Sequence, residues 1–177
     1  LKVIYTREED VFIPLWKRTK IANESNGKVF LSIHLNASPN QSAYGFETYL
    51  LRPGKTEDAI EVASRENEVI KFEDRTDNRY KDLTGESLIM ATMAQSIFMK
   101  ESEELAAMIQ EEMAKKIKSK NRGVKQAGFH VLIGASMPNI LIEAGYLTNR
   151  NEEKNLRNAK YRQAIANCIY KAIVKFR

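Results

Sequence analysis

Short apolar runs rich in β-branched and aromatic residues alternate with helical patterns along this chain. That alternation predicts an α/β fold, a mostly parallel central sheet flanked by helices. A second observation supports it: two of the runs deliver an ionisable side chain, His34 and Glu143, at the point where the strand gives way to a loop. Open α/β sheets place their chemistry at the carboxyl ends of strands, where both groups are expected. The third is a break in the alternation, since residues 54 to about 118 carry two long helical patterns in succession.

In chain order, Lys2 to Tyr5 predicts the first strand. Pro14 followed by Leu15, Arg18, Ile21 and Ala22 predicts a short helix opened by proline. Val29 to His34 and Phe46 to Leu51 predict two further strands. The next helix carries Ala59, Ile60, Val62, Ala63, Val69 and Ile70 on one face and Glu61, Arg65, Glu66, Asn67 and Glu68 on the other. The polar stretch Glu73 to Arg79 predicts an exposed loop. A second helix is expected from about Glu86 to Lys118; it holds Met90, Met93, Met99, Met108 and Met113, for which core filling is the default role. Phe129 to Ile133 and Asn139 to Ile142 predict the last strands. From Asn158, a good N-cap, the residues Tyr161, Ile165, Cys168, Ile169, Ala172, Ile173 and Phe176 recur at helical spacing, so this helix packs on the sheet with Cys168 as a small buried hydrophobe.

A chain of 177 residues, 43% hydrophobic, is enough for one compact domain. No run approaches the ~18 apolar residues that a membrane span requires. Leu1 to Arg7 opens without an initiator methionine and inside a strand-like run, so the numbering is expected to begin within a longer protein. The net charge of +5 favours an anionic environment, whether wall polymer, phospholipid head groups or nucleic acid, without choosing among them. Nucleic acid fits least, because 28 basic residues are interleaved with 23 acidic ones and no basic stripe with aromatics appears. A single cysteine excludes an internal disulfide framework and a zinc knuckle.

Glu143 follows an aliphatic run, Asn139 to Ile142, and a buried carboxylate is costly unless paired or bound to a metal. Its alternatives are a catalytic or ligand role and a strand-end carboxylate that caps the Gly145 turn or meets an arginine. His34 offers the same choice between a metal ligand and a core histidine satisfied by backbone. His130 lies in opposite phase to Phe129, Val131 and Ile133, which makes it structural or exposed. Neither a phosphate-binding glycine loop nor a Gly-x-Ser-x-Gly elbow occurs. A histidine and a glutamate without a nucleophile point to metal-assisted hydrolysis.

Thr6-Arg7 with Asp10, Leu15 with Arg18, Ala22-Asn23, Ser32 to Ala37, Gly45 to Tyr49, Asn121 to Lys125, Met137-Pro138 and Ile142 to Asn149 form an ordered set spanning nearly the whole chain. In that order and spacing they resemble the zinc-dependent N-acetylmuramoyl-L-alanine amidases of the amidase-3 family. The resemblance implies hydrolysis of the amide between N-acetylmuramic acid and the L-alanine of the stem peptide. In such enzymes two histidines and a glutamate hold Zn2+. His34 matches the second of those histidines, and Glu143 matches the catalytic glutamate. The family's opening strand, its first histidine and its glutamate ligand have no counterpart after Leu1, which implies an N-terminally truncated domain with two ligands upstream.

Relative to minimal members of the family, the chain carries an insert from roughly Arg52 to Gln95. It is similar to the helical insert of cell-division amidases, which lies near the active site and carries an acidic residue that occupies the zinc until an activator displaces it. Glu66 is the matching candidate and Glu68 the second; the alternative is that both lie on a solvated helix face. The resemblance further implies peptidoglycan as substrate, a LytM-type activator as partner and a place in the cell envelope, periplasmic or extracellular. The competing readings are an inactive wall-binding or regulatory module on the same fold and, more distantly, a metallopeptidase acting on stem peptides.

Overall fold

The computed structural model describes residues 1–73 and 85–176. Four strands form one sheet in the order β1-β4-β2-β3: β1 (Phe30–Asn36), β2 (Phe46–Leu51), β3 (Asn121–Ala127) and β4 (Asn139–Tyr146). Its sense can be read from the hydrogen bonds at the strand ends. Phe30 N donates to Pro138 O and Leu147 N to Asn36 O, so β1 and β4 run the same way; Phe46 N to Lys120 O and Arg52 N to Ala127 O do the same for β2 and β3. Only β2 and β4 are antiparallel, with Glu47 opposite Glu143, Thr48 opposite Ile142 and Tyr49 opposite Leu141. Every residue of β2 and β4 is buried, as expected of the two central strands.

The chain divides into two compact units, each with its own packing. The first comprises residues 1–30, 51–99 and 126–139. Here α1 (Leu15–Glu24) follows Pro14, and its first free N–H, at Leu15, donates to Glu73 Oε1 at 2.7 Å. A carboxylate there satisfies an orphan donor and complements the positive end of the helix dipole. The helix α1 packs on a 3-10 turn, His130–Leu132, to which it is tied by Thr19 Oγ1 donating to Ile133 O and Asn23 Nδ2 to Gly134 O. The next helix, α2 (Glu57–Asn67), is capped by Thr56, carries Glu57 and Asp58 in its first turn, and buries Ala59, Val62 and Ala63. Asn67 at its end bridges Gly128 O and His130 N. The third helix, α3, covers Gly85–Ala94.

The second unit comprises residues 31–50, 100–125 and 140–177. On α4 (Met99–Lys116) the residues Leu105, Ala106, Ile109 and Met113 are buried, and Gln110 Nε2 donates to Thr48 Oγ1 at 2.8 Å. That contact assigns α4 to the Thr48 face of β2 and leaves Glu47 and Tyr49 on the other. The short α5 (Arg150–Arg157) is capped by Asn149. In α6 (Ala159–Phe176) the predicted stripe is buried at Ile165, Cys168, Ile169 and Ala172, and Asn158 Oδ1 accepts from Lys160 N as an N-cap does.

Several expectations are corrected. Lys2 to Tyr5 is not a strand but an exposed segment, because among the described residues nothing pairs with it. The run Phe129 to Ile133 folds as a 3-10 turn flanked by extended residues. The expected helix from Glu86 to Lys118 is interrupted at Gln95, whose buried side chain donates to Leu132 O and Ala135 O, and a 3-10 turn, Ser96–Phe98, precedes α4. Met90 and Met93 on α3 are exposed, leaving Met113 as the one methionine of the five that is buried, since spacing alone does not say which face meets the core. In α2 the stripe narrows, with Ile60 exposed. Glu73 is buried rather than exposed; the rest of the polar stretch, from Asp74 to Arg79, lies outside the described residues.

Candidate metal-binding and hydrolytic site

Strand β1 alternates in an unusual sense: Phe30, Ser32 and Asn36 are buried and His34 half-buried, while Ile33 and Leu35 are exposed. The inward face of this strand is therefore polar over its last five residues. The His34 ring is oriented by Ser32, with Nε2 and Oγ 2.8 Å apart. Asn36, two residues on and on the same face, donates from Nδ2 to Glu47 Oε1 at 2.8 Å and accepts from Ala37 N at Oδ1.

Glu143 is fully buried within β4, not at its end as the sequence suggested, because the strand continues to Tyr146. Its cross-strand partner is Glu47, also fully buried, and residues paired in this way project to the same face. Two buried carboxylates thus stand side by side. Glu47 is supplied with four donors: Asn36 Nδ2 and Tyr146 Oη at Oε1, and Arg122 Nε and Lys125 Nζ at Oε2, at 2.5 to 3.2 Å. Burial alone would raise its pKa, but the hydrogen bond and charge of Lys125, then the Tyr146 hydroxyl and the Arg122 charge, overcome that and hold Glu47 below the ordinary carboxylate value. The Tyr146 phenol is pushed up, first by burial and then by the Glu47 charge. The Arg122 guanidinium also lies over the Tyr146 ring, 5.3 Å from its centroid.

His34 and Glu143 each offer a ligand atom, and these atoms lie within 4.8 Å of each other. An imidazole nitrogen and a carboxylate oxygen form a set to which a metal ion could bind. The full burial of Glu143 points the same way, because a carboxylate in that position needs a cation, a proton or several donors. Glu66 itself lies on α2 and is half-buried, whereas Glu68 is exposed and pairs with Lys71 at 3.2 Å, as a residue of a solvated face does. His130 does not join this set; it is half-buried, and burial pushes its pKa down to about 4.

Sequence reasoning missed Glu47 as a site residue, although its signal was the one that singled out Glu143. It is a carboxylate inside an apolar run, between Phe46 and Tyr49-Leu50-Leu51. Arg122 and Lys125 carried no such signal, since their strand, Asn121–Ala127, contains no apolar run.

Residues 1–175 match the family described as N-acetylmuramoyl-L-alanine amidase. Among curated relatives, N-acetylmuramoyl-L-alanine amidase AmiC of Escherichia coli O6:H1 is 32% identical over 98% of this chain and 41% of its own length. AmiA of Escherichia coli K12 is 30% identical over 97% of this chain and 59% of its own length. The chain therefore spans less than two thirds of either relative. Among solved structures, an N-acetylmuramoyl-L-alanine amidase from Clostridium difficile 630 superposes with a TM-score of 0.68 at 28% identity, covering 99% of this chain and 71% of that one.

Proposed function

Because the chain belongs to the N-acetylmuramoyl-L-alanine amidase family, we propose that it is the hydrolytic part of a peptidoglycan amidase that cleaves the bond between N-acetylmuramic acid and L-alanine of the stem peptide. The observation that carries this reading is the convergence of His34 and Glu143 ligand atoms within 4.8 Å, on the two residues that match the family's motifs. Zn2+ is the cofactor, and when bound it supplies a Lewis acid that polarises the amide carbonyl and acidifies water. His34 is one of its ligands, held in orientation by Ser32. Glu143 is the general base: its carboxylate takes a proton from the attacking water and passes it to the amide nitrogen as the C–N bond breaks. The products are the lactyl carboxylate on an intact glycan strand and a stem peptide with a free L-alanine amine.

Glu66 is the autoinhibitory ligand in this reading, occupying the position that water or substrate must take until a LytM-type activator withdraws it. Its half-buried place on α2, where its neighbour Glu68 is exposed, supports that role. The site of action is the cell envelope outside the cytoplasmic membrane, where the substrate lies. No helix among the described residues is long and apolar enough to cross a membrane.

The test is digestion of purified sacculi by the full-length protein, followed by product analysis. New L-alanine amino termini on uncut glycan strands are expected, with Glu143→Gln at least about a hundredfold slower, the scale of general-base catalysis. Cleavage within the glycan, or within the stem peptide, would overturn the reading. Glu66→Ala is expected to raise basal hydrolysis without activator; unchanged basal activity refutes the inhibitory role and leaves the amidase assignment standing.

A further inference from the structure

Glu47 costs the fold something that an apolar residue would not. It is fully buried in the central strand β2, between Phe46 and Tyr49, and is held ionised there by two cations. Replacing such a buried ionic cluster with well-packed hydrophobic residues often leaves stability unchanged or improves it. Stability is therefore a weak reason for its presence.

Its partners give a better one. Asn36 comes from β1, Tyr146 from β4, and Arg122 and Lys125 from β3, so one carboxylate on β2 ties together all four strands of the sheet. It does so at one level. Asn36 lies two residues beyond His34 on the same face of β1, and Glu143 is the cross-strand partner of Glu47. The Arg122 guanidinium, besides meeting Glu47, donates to Tyr44 O and covers the Tyr146 ring, which fixes the ring whose hydroxyl reaches Oε1. The two groups assigned to hydrolysis are thus each one short step from a side chain anchored on Glu47.

We infer that Glu47 is a positioning residue of the hydrolytic site, fixing the separation of His34 and Glu143 by clamping the ends of their strands through Asn36 and Tyr146. This rests on the amidase reading above. The clamp accounts for the polar inward face of β1, and the cations keep it charged and therefore able to accept from all four donors at once. A glutamine at position 47 keeps the shape but brings an N–H2 group to face Arg122 and Lys125, so the cluster must rearrange. A site held within about half an ångström of its working geometry does not tolerate that.

The test uses the full-length protein loaded with zinc for kinetics and with Co2+ for spectroscopy, because the visible bands of Co2+ report the geometry of its ligands. Glu47→Gln is expected to lower kcat at least tenfold with KM within twofold, and to change the Co2+ band positions or intensities. Lys125→Arg, which preserves the charge on Oε2, is expected to stay within threefold of wild type in both readouts. Glu112→Gln removes another buried carboxylate, one paired with Lys115 and Lys175 between α4 and α6, and is expected to change neither. If Glu47→Gln does not fold, Tyr146→Phe removes a single donor to Oε1 and is expected to lower kcat with KM unchanged and to move the same bands. Wild-type kcat and an unaltered Co2+ spectrum in the folded variant would overturn the inference. Absence of sacculus hydrolysis by both wild type and Glu66→Ala would instead overturn the amidase reading, and the Co2+ spectra would still decide the role of Glu47. Failure of wild type to bind Co2+ would overturn the metal site on which both rest.

Discussion

Acidification from pH 7.5 to 4 is expected to destabilise this fold by about 3 kcal/mol through His130 alone. His130 opens a 3-10 turn whose other two residues, Val131 and Leu132, are buried, and its own backbone N–H is held by Asn67 Oδ1 at 2.9 Å. The ring cannot leave without disrupting the turn on which α1 packs. Burial disfavours the imidazolium and moves the pKa from its ordinary 6.5 down to about 4. The unfolded chain therefore binds more protons than the folded one between those values, and stability is complete above 6.5 and falls as the pH drops toward 4. With these two values the loss is about 1.4 kcal/mol at pH 5.5 and about 3 kcal/mol at pH 4. For a chain of this size that corresponds to a Tm lower by roughly 6 to 12 °C at pH 4. Other groups titrate in the same range, so the measurement is a comparison. Thermal or urea unfolding of wild type and His130→Gln is followed from pH 7.5 to 4, and the stability difference between them is expected to shift by about 3 kcal/mol in favour of the variant. Parallel curves, with the difference constant to within about 0.5 kcal/mol, would refute the burial argument, since the ring would then be titrating in both states alike.

Two further outcomes follow from particular contacts. Gly45 has φ +118°, and a Cβ added there would stand 2.3 Å from Lys120 O, the acceptor that opens the β2–β3 ladder; Gly45→Ala is expected to cost about 3 kcal/mol or more in urea unfolding, and a cost below about 1 kcal/mol would show that the turn can relax. Glu112 is held at about 2, first by Lys175 and then by Lys115, below its ordinary 4.5. Because the folded-state value is the lower one, its contribution is present above 4.5 and lost as the pH falls toward 2. Glu112→Gln is thus expected to have a lower urea midpoint than wild type at pH 7 and an equal one near pH 2, and a difference that persists at pH 2 would mean the ion pairs are not its source.

How much of this molecule is legible in its sequence depends on whether a residue's role is local. Phe46 to Leu51 was readable with its bounds correct, because aromatic and aliphatic residues dominate the run, as they do in a strand buried throughout. The stripe of α6 was readable because one helix face meets the core at fixed spacing. The strand Asn121–Ala127 was not. Its sequence, Asn-Arg-Gly-Val-Lys-Gln-Ala, has neither β-branched density nor alternation, and it is a strand because β2 offers it a parallel edge and Glu47 takes two of its cations. The error at Lys2 to Tyr5 is the converse. There the local pattern is good, but pairing is a tertiary fact and no described strand supplies it.

The site divides along the same line. His34 and Glu143 announce themselves because an ionisable residue inside an apolar run must be compensated by something, and the sequence shows the run. What it cannot show is the compensation. Glu47 has the same signature as Glu143, yet the two are placed differently: Glu47 has Arg122 and Lys125 within 3.2 Å, whereas the Glu143 ligand atom lies within 4.8 Å of that of His34. A carboxylate locked into ion pairs is poorly placed to accept and release a proton. One beside an imidazole can share a cation with it, and under the proposed function it would take the proton of a water which that cation acidifies. The register sets Glu47 and Glu143 side by side, and the proposed division of anchoring and chemistry between them starts from that pairing.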